Sequence, residues 1–260
     1  MSALDCLASL AMTDTRVMKE PRTAIVTGAG KRIGAAIAAG LLADGWTVLA
    51  HVHHKEDGVP DGASKVVADL AQRDCAERIF AAAAHLPLVR LLVNNAARFA
   101  WDAFGEFSVD EFDAHSAVNV RAPALLIERL AASQDAGGAL VVNLLDAKLA
   151  VPNPDYLSYT LSKAALAALT ELAARALAPR SIRVNGIAPA LMLRSSGQTE
   201  ENFKAMHANN PLRRAVEADD VVAALRFLIG ATAITGQVIT IDGGQRFMGL
   251  ERDVQFLGPQ

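Results

Sequence analysis

A chain of 260 residues with 52% hydrophobic side chains and a formal net charge of −3 can bury a large core, and it has no overall basic field to hold nucleic acid or an anionic membrane surface. Its two cysteines, Cys6 and Cys75, offer neither a disulfide framework nor a Cys-x-x-Cys metal spacing, which suits a reducing compartment such as the cytoplasm. No apolar run approaches the roughly 18 to 20 residues of a membrane-spanning helix. Residues 1–21, interrupted by Asp5 and led by no positive charge, read as a flexible extension ahead of a single domain over 22–260.

The domain opens on Thr23-Ala24-Ile25-Val26-Thr27-Gly28, a β-branched run ending in glycine, and continues into an alanine-rich helical stretch from Ile33 to Ala43. A second strand is expected over Thr47 to Val52 and a third, weaker one at Val66-Val67, followed by a helix from Asp74 to Ala84. Val89 to Val93 reads as strand four, running into Asn94-Asn95-Ala96-Ala97. After a loop carrying Phe99, Trp101, Phe104 and Phe107 comes a long helix from Val109 to Ala132. Ala139 to Leu145, Ile182 to Ile187 and Gln237 to Ile241 read as strands five to seven, with helices over Tyr156 to Leu177 and Asp219 to Ile229 between them. Short, nearly continuous apolar strands alternating with longer helices predict a doubly wound α/β fold, a parallel sheet covered on both faces.

Between the first strand and helix lies Gly28-Ala29-Gly30-Lys31-Arg32-Ile33-Gly34. Glycines there permit a tight turn and close approach of the backbone to a pyrophosphate, which the amino end of the helix attracts. Sites for a dinucleotide without a 2′-phosphate often carry a carboxylate at the end of strand two. Here that region reads His51-Val52-His53-His54-Lys55, with no carboxylate until Glu56, while Lys55 and Arg32 supply positive charge. The expected cofactor is therefore NADPH rather than NADH. The alternative is a solvated loop whose histidines do nothing; metal binding is not suggested, because no further ligand accompanies them.

Tyr159 and Lys163 stand four residues apart on a helix and so share a face. A cation near the phenol is expected to lower its pKa and fit it for acid-base work. Asp146 lies at the carboxyl end of a central strand, where open α/β sheets bind ligands.

These residues together resemble the short-chain dehydrogenase/reductase family from Arg22 to about Phe247. The glycine turn, Asp69-Leu70, Asn94-Asn95-Ala96, Asn119, Tyr159-x-x-x-Lys163 and Asn185-Gly186-Ile187-Ala188-Pro189 appear in the family's order. The resemblance implies a Rossmann-like seven-stranded sheet of order 3-2-1-4-5-6-7, a homotetramer, and a nicotinamide dinucleotide held by Gly28, Lys31, Arg32, Ile33, Gly34, His53, His54, Lys55, Asp69, Leu70, Asn95, Ala96, Tyr159, Lys163 and Pro189. It assigns Lys163 to the nicotinamide ribose and Asn119 to holding Lys163 through water.

Two departures narrow the resemblance. Arg32 stands where most members carry glycine, and Asp146 where most carry a catalytic serine, 159 − 146 = 13 residues before the tyrosine. With the His-x-His strand end and Phe99, they look like the pteridine reductases and the related dihydromonapterin or dihydrofolate reductases. In that subgroup the residue matching Phe99 stacks on the pterin opposite the nicotinamide. An aspartate accepts from ring N–H or amino groups, or donates to an imine nitrogen when protonated, which suits a C=N bond better than a ketone.

Asp146, Tyr159, Lys163 and Asn119 are thus the catalytic candidates, and Phe99, Asp146, Tyr159 and Leu191 the substrate-binding ones. An alternative makes Asp146 a mere turn cap, with Ser158 or another hydroxyl replacing the serine. Family members use the segment after strand six, here Ala190 to Asn210, as a substrate lid. The tail from Gly249 to Gln260 is a candidate to reach a neighbouring subunit. The leading function is NADPH-dependent reduction of a pterin. Reduction of a ketone is the second reading, and a dinucleotide-binding protein without turnover the third, against which the intact Tyr159, Lys163 and Asn119 set argues.

Overall fold

The computed structural model describes residues 20–134, 137–190 and 198–257. Seven strands run parallel in one sheet in the order β3-β2-β1-β4-β5-β6-β7, the order expected. They are β1 (Thr23–Val26), β2 (Thr47–Val52), β3 (Ser64–Val67), β4 (Val89–Asn94), β5 (Ala139–Leu144), β6 (Ile182–Pro189) and β7 (Val238–Ile241). The helices between them are α1 (Arg32–Ala43), α2 (Cys75–Ala83), α3 (Val109–Ser116), α4 (Ala122–Ser133), α5 (Leu157–Leu177), α6 (Glu200–His207) and α7 (Ala218–Gly230).

The strands read as continuous apolar runs because both faces of the sheet are covered, and side chains alternate between them. Ile25, Leu49, Leu92 and Val141 point to one face, against Ile79 of α2 and Leu126 and Leu130 of α4. Their neighbours Ala24, Val48, Leu91 and Val142 point to the other, against Ile37 and Leu41 of α1 and Val221 and Leu225 of α7. Strand order reverses between β1 and β4, so the connections leaving their carboxyl ends diverge and open a crevice there.

Three local features refine the sequence reading. The long helix expected from Val109 to Ala132 is α3 and α4 joined by a π-helical turn over Ala117–Arg121, which contains Asn119. Such a turn inserts an extra residue into the helical ladder and re-aims the side chain it carries. The segment expected as a lid contains α6, whose amino end is capped by the Thr199 hydroxyl accepting from Asn202 N at 3.1 Å; Leu191, together with Met192 and Leu193, lies outside the described residues, as does most of the amino-terminal extension. Within the chain the carboxyl-terminal tail is tied to α6, where Leu257 O accepts from Asn202 Nδ2 at 2.7 Å.

Candidate active site

Above the carboxyl ends of the strands lies one cleft of about 800 Å³, a size suited to a small molecule or cofactor. Its nucleotide end is built by the turn from β1 to α1. Gly28 has a φ of +66°, and a Cβ on Gly34 would meet the Gly28 carbonyl oxygen at 2.1 Å, so α1 approaches the turn as closely as a backbone can. Thr27 and Asn95 brace the turn against β4: Asn95 Nδ2 donates to Thr27 O at 2.8 Å, and the Thr27 hydroxyl accepts from Ala96 N at 3.0 Å.

Arg32, where glycine is usual, takes a φ of +57° at the first position of α1, a left-handed conformation that costs a non-glycine residue roughly 1 to 2 kcal/mol. Its side chain lies on the cleft wall with Lys31, Ile33, His53 and His54. Asp69, Leu70 and Pro189 line the same cleft; Lys55 does not, and its backbone carbonyl accepts from Lys65 Nζ at 2.6 Å. Of the cationic pair expected at the strand-two end, the structure thus brings Arg32 to the site and leaves Lys55 outside.

His51 is no part of a solvated loop. It is 2% exposed in β2, with Nδ1 accepting from Gly28 N at 3.2 Å and Nε2 facing Ala68 O at 2.9 Å. That pair of partners assigns the proton to Nε2 and makes the neutral ring the one that holds the turn. Burial pushes its pKa down, against the Ala68 carbonyl. The clue in sequence was its place inside a predicted strand, where a polar ring must be paired.

At the other end, Asp146 follows β5 and faces α5. Its Oδ1 accepts from Lys148 N at 2.8 Å and its Oδ2 from the Tyr159 hydroxyl at 2.9 Å. It therefore caps the short Ala147–Ala150 turn and also meets the phenol. Ser158, the alternative hydroxyl, is fully buried and donates to Asp102, so it does not replace the serine.

Lys163 is 3% exposed, with Nζ donating to Leu144 O at 2.7 Å and lying 5.7 Å from the Tyr159 ring centre. Burial lowers its pKa to about 8. The expected lowering of the tyrosine is not met in this geometry: burial first and Asp146 second hold the Tyr159 phenol well above its usual range. The proton stays on the phenol and is shared toward Asp146. Asn119 does not touch Lys163; it accepts from Arg98 N at 2.8 Å and donates to Ser162 Oγ at 2.9 Å, locking the loop after β4 onto α5.

Phe99 lines the cleft but stacks on Tyr156, with ring centres 4.3 Å apart, and meets Tyr159 edge-on at 4.7 Å. Tyr156 has a φ of +55° and is 2% exposed; it is over-determined by Phe99, by Trp101 at 5.6 Å and by its hydroxyl donating to Gln255 Oε1 at 2.7 Å. Asp102, 1% exposed, accepts from Ser158 N at 2.8 Å and so anchors the amino end of α5 to the aromatic loop.

Sequence reasoning missed Asp102, Lys148, Asn153, Asp155 and Asp253. Lys148, Asn153 and Asp253 line the Asp146 end of the cleft, and Asp155 holds the tail that brings Asp253 there through contacts across as many as 98 positions, for which no local pattern exists.

A family model described as enoyl-(acyl carrier protein) reductase matches residues 28–246. The chain is 33% identical over 236 residues to L-xylulose reductase of Mesocricetus auratus, covering 86% of this chain and 96% of the relative. It is 30% identical to carbonyl reductase (NADPH) 2 of Sus scrofa, covering 85% and 95%. Among solved structures it is similar to FolM alternative dihydrofolate reductase 1 from Brucella canis complexed with NADP, with a TM-score of 0.82 and 35% identity over 90% of this chain and 97% of that one. The protein of the same description from Brucella suis, in complex with NADP, gives 0.80 and 36% over 89% and 96%. Sheet order, glycine turn and a family match over most of its length agree: the chain belongs to the short-chain dehydrogenase/reductase family.

Proposed function

We propose that the protein is an NADPH-dependent reductase of a pterin-type substrate, of the dihydromonapterin, dihydrobiopterin or dihydrofolate class. The observation that carries the reading is Asp146 Oδ2 accepting from the Tyr159 hydroxyl at 2.9 Å, a carboxylate paired with the phenol where the family usually has serine. The similar FolM proteins, solved with NADP, support the cofactor and the substrate class. The nucleotide end fits such a cofactor: the Gly28–Gly34 approach leaves no room for a Cβ, and Lys31 and Arg32 stand on its wall.

Bound NADPH supplies a hydride to the substrate carbon. The chain supplies the proton for the adjacent nitrogen. Tyr159 holds it on the phenol oxygen, since burial and Asp146 disfavour phenolate, and Asp146 orients the hydroxyl and accepts from N–H groups of the ring. Lys163, fixed on Leu144 O with Nζ 5.7 Å from the Tyr159 ring centre, would hold the nicotinamide ribose. Phe99 offers an aromatic wall to a flat ring.

The second reading, a ketone reductase, is favoured by L-xylulose and carbonyl reductase among the relatives. It is disfavoured by Asp146, because a carboxylate does not donate to a carbonyl oxygen as a serine hydroxyl does. NADPH oxidation by the purified protein, followed with 7,8-dihydrobiopterin and dihydrofolate and separately with an acetoacetyl-type ketone, separates the two; turnover of the ketone alone refutes the pterin assignment. Homotetramer assembly belongs to the same proposal. Exposed Val109 and Phe112 on α3 and Leu161 and Leu172 on α5 offer apolar faces for it, and light scattering on the eluting protein gives the mass. The reducing cytoplasm is the compartment that suits its thiols and its cofactor.

A further inference from the structure

The substrate end of the cleft has a wall that Tyr159, Lys163 and Asp146 do not account for. It is formed by the segment from Leu250 to Val254, pinned over the site by the carboxylate of Asp155. Arg252 Nε and Nη2 donate to Asp155 at 2.9 Å each, and Asp253 N donates to it at 2.7 Å. Gln255 receives the Tyr156 hydroxyl at 2.7 Å, and Phe256 meets Trp101 with ring centres 5.7 Å apart.

This anchoring brings Asp253 into the cleft lining, with its side chain 17% exposed. Its Oδ1 accepts from Gln255 N at 3.2 Å, while Oδ2 lies 3.7 Å from Lys148 Nζ, near enough for charge attraction and too far for a hydrogen bond. Asn153 lines the same wall, and its Oδ1 is buried with no hydrogen-bond partner among the described residues. The substrate end therefore presents acceptors with spare capacity, and a buried acceptor without a donor is left at a loss until one arrives. Burial also lifts the Asp253 carboxyl above its ordinary range, with Lys148 opposing, so a ligand that brings donors restores solvation lost on folding.

We infer that Asp253, delivered by the tail of the same chain, determines substrate specificity: with Asn153 it accepts hydrogen bonds from amino or ring N–H groups on the edge of a flat heterocycle remote from the reacting atoms. A substrate with an amino-pyrimidine edge satisfies these acceptors; a simple ketone, which has only an acceptor, leaves them unpaired. The inference rests on the pterin reading.

Its test is direct binding of 7,8-dihydrobiopterin to the full-length protein saturated with NADP, measured calorimetrically, alongside steady-state turnover. Asp253→Asn keeps an acceptor for Gln255 N but removes the charge, and is expected to weaken dihydrobiopterin binding about 10- to 100-fold, as loss of a charge-assisted hydrogen bond does. NADP affinity and melting temperature should stay unchanged, and Asp253→Glu should recover part of the binding. Equal affinity in Asp253→Asn overturns the inference while leaving the pterin reading intact. A parallel loss of NADP affinity and melting temperature overturns it too, by making Asp253 a structural anchor. If the wild type binds dihydrobiopterin without oxidising NADPH, the reaction reading falls and the weakened binding of Asp253→Asn still supports the inference; if it binds none, both fall.

Discussion

Replacing Asp146 with serine restores the residue most of the family carries and tests whether the carboxylate sets the chemistry. In the structure Asp146 Oδ2 accepts from the Tyr159 hydroxyl at 2.9 Å, and Oδ1 from Lys148 N at 2.8 Å. A serine hydroxyl still caps Lys148 N, so the melting temperature should move by no more than about 3 °C. What is lost is the carboxylate acceptor. A hydrogen bond to a charged group is worth about 1.5 to 3 kcal/mol, and each 1.36 kcal/mol is about a factor of ten in rate. The kcat/KM for dihydrobiopterin should therefore fall about 10- to 100-fold, while that for an acetoacetyl-type ketone holds or rises. Asp146 is also the second cause, after burial, of the raised Tyr159 phenol, so the alkaline limb of the pH–rate profile should move to lower pH in the variant. Stopped assays with both substrates over a pH series give all three quantities. Pterin turnover within about threefold of wild type, with an unmoved alkaline limb, refutes the reasoning.

Arg32→Gly should relieve the +57° backbone and stabilise the fold by up to about 1 kcal/mol in thermal unfolding, yet weaken NADPH about tenfold relative to NADH; an unchanged cofactor ratio removes Arg32 from recognition of the 2′-phosphate. Gly34→Ala puts a Cβ 2.1 Å from the Gly28 carbonyl oxygen, so backbone must shift; a loss of about 1 to 3 kcal/mol in urea unfolding and a sharp drop in NADPH affinity are expected. The neutral His51 ring holds the Gly28 turn and its pKa is lowered in the folded state, so the unfolded chain binds more protons once the pH falls below the usual imidazole value of about 6.5. Its contribution to stability is full above that value and is lost as pH falls through the folded pKa. Melting temperature from pH 8 to 5 should fall less steeply in His51→Gln than in wild type; His115, buried and lowered in the same way, and Lys163, lowered to about 8, add slope of the same sign.

Much of this was legible from local pattern. The alternation of apolar strands and helices gave a parallel sheet because every strand is buried on both faces, and the glycine turn, Asp146 and the Tyr159–Lys163 pair lie within short spans of chain whose spacing is itself the geometry. The residues that read less well are those whose role depends on distant partners. Asn119 stands in a π-helical turn, and its direct partners, Arg98 and Ser162, are not ones a local pattern names. The phenol was expected to be lowered by the lysine four positions on; burial and a carboxylate 2.9 Å away reverse the direction.

By itself, then, the order of residues determined the sheet, the glycine turn and the shared helix face of Tyr159 and Lys163, because those follow from periodicity and from side chains close in sequence. Only the tertiary structure decided that Phe99 rests on Tyr156, that His51 holds Gly28, and that Asp155 and Arg252, 97 positions apart, fasten the tail and its Asp253 over the substrate end. Contacts of that range are made by the folded sheet bringing loop ends together at its carboxyl edge, and no local pattern encodes which of them will meet.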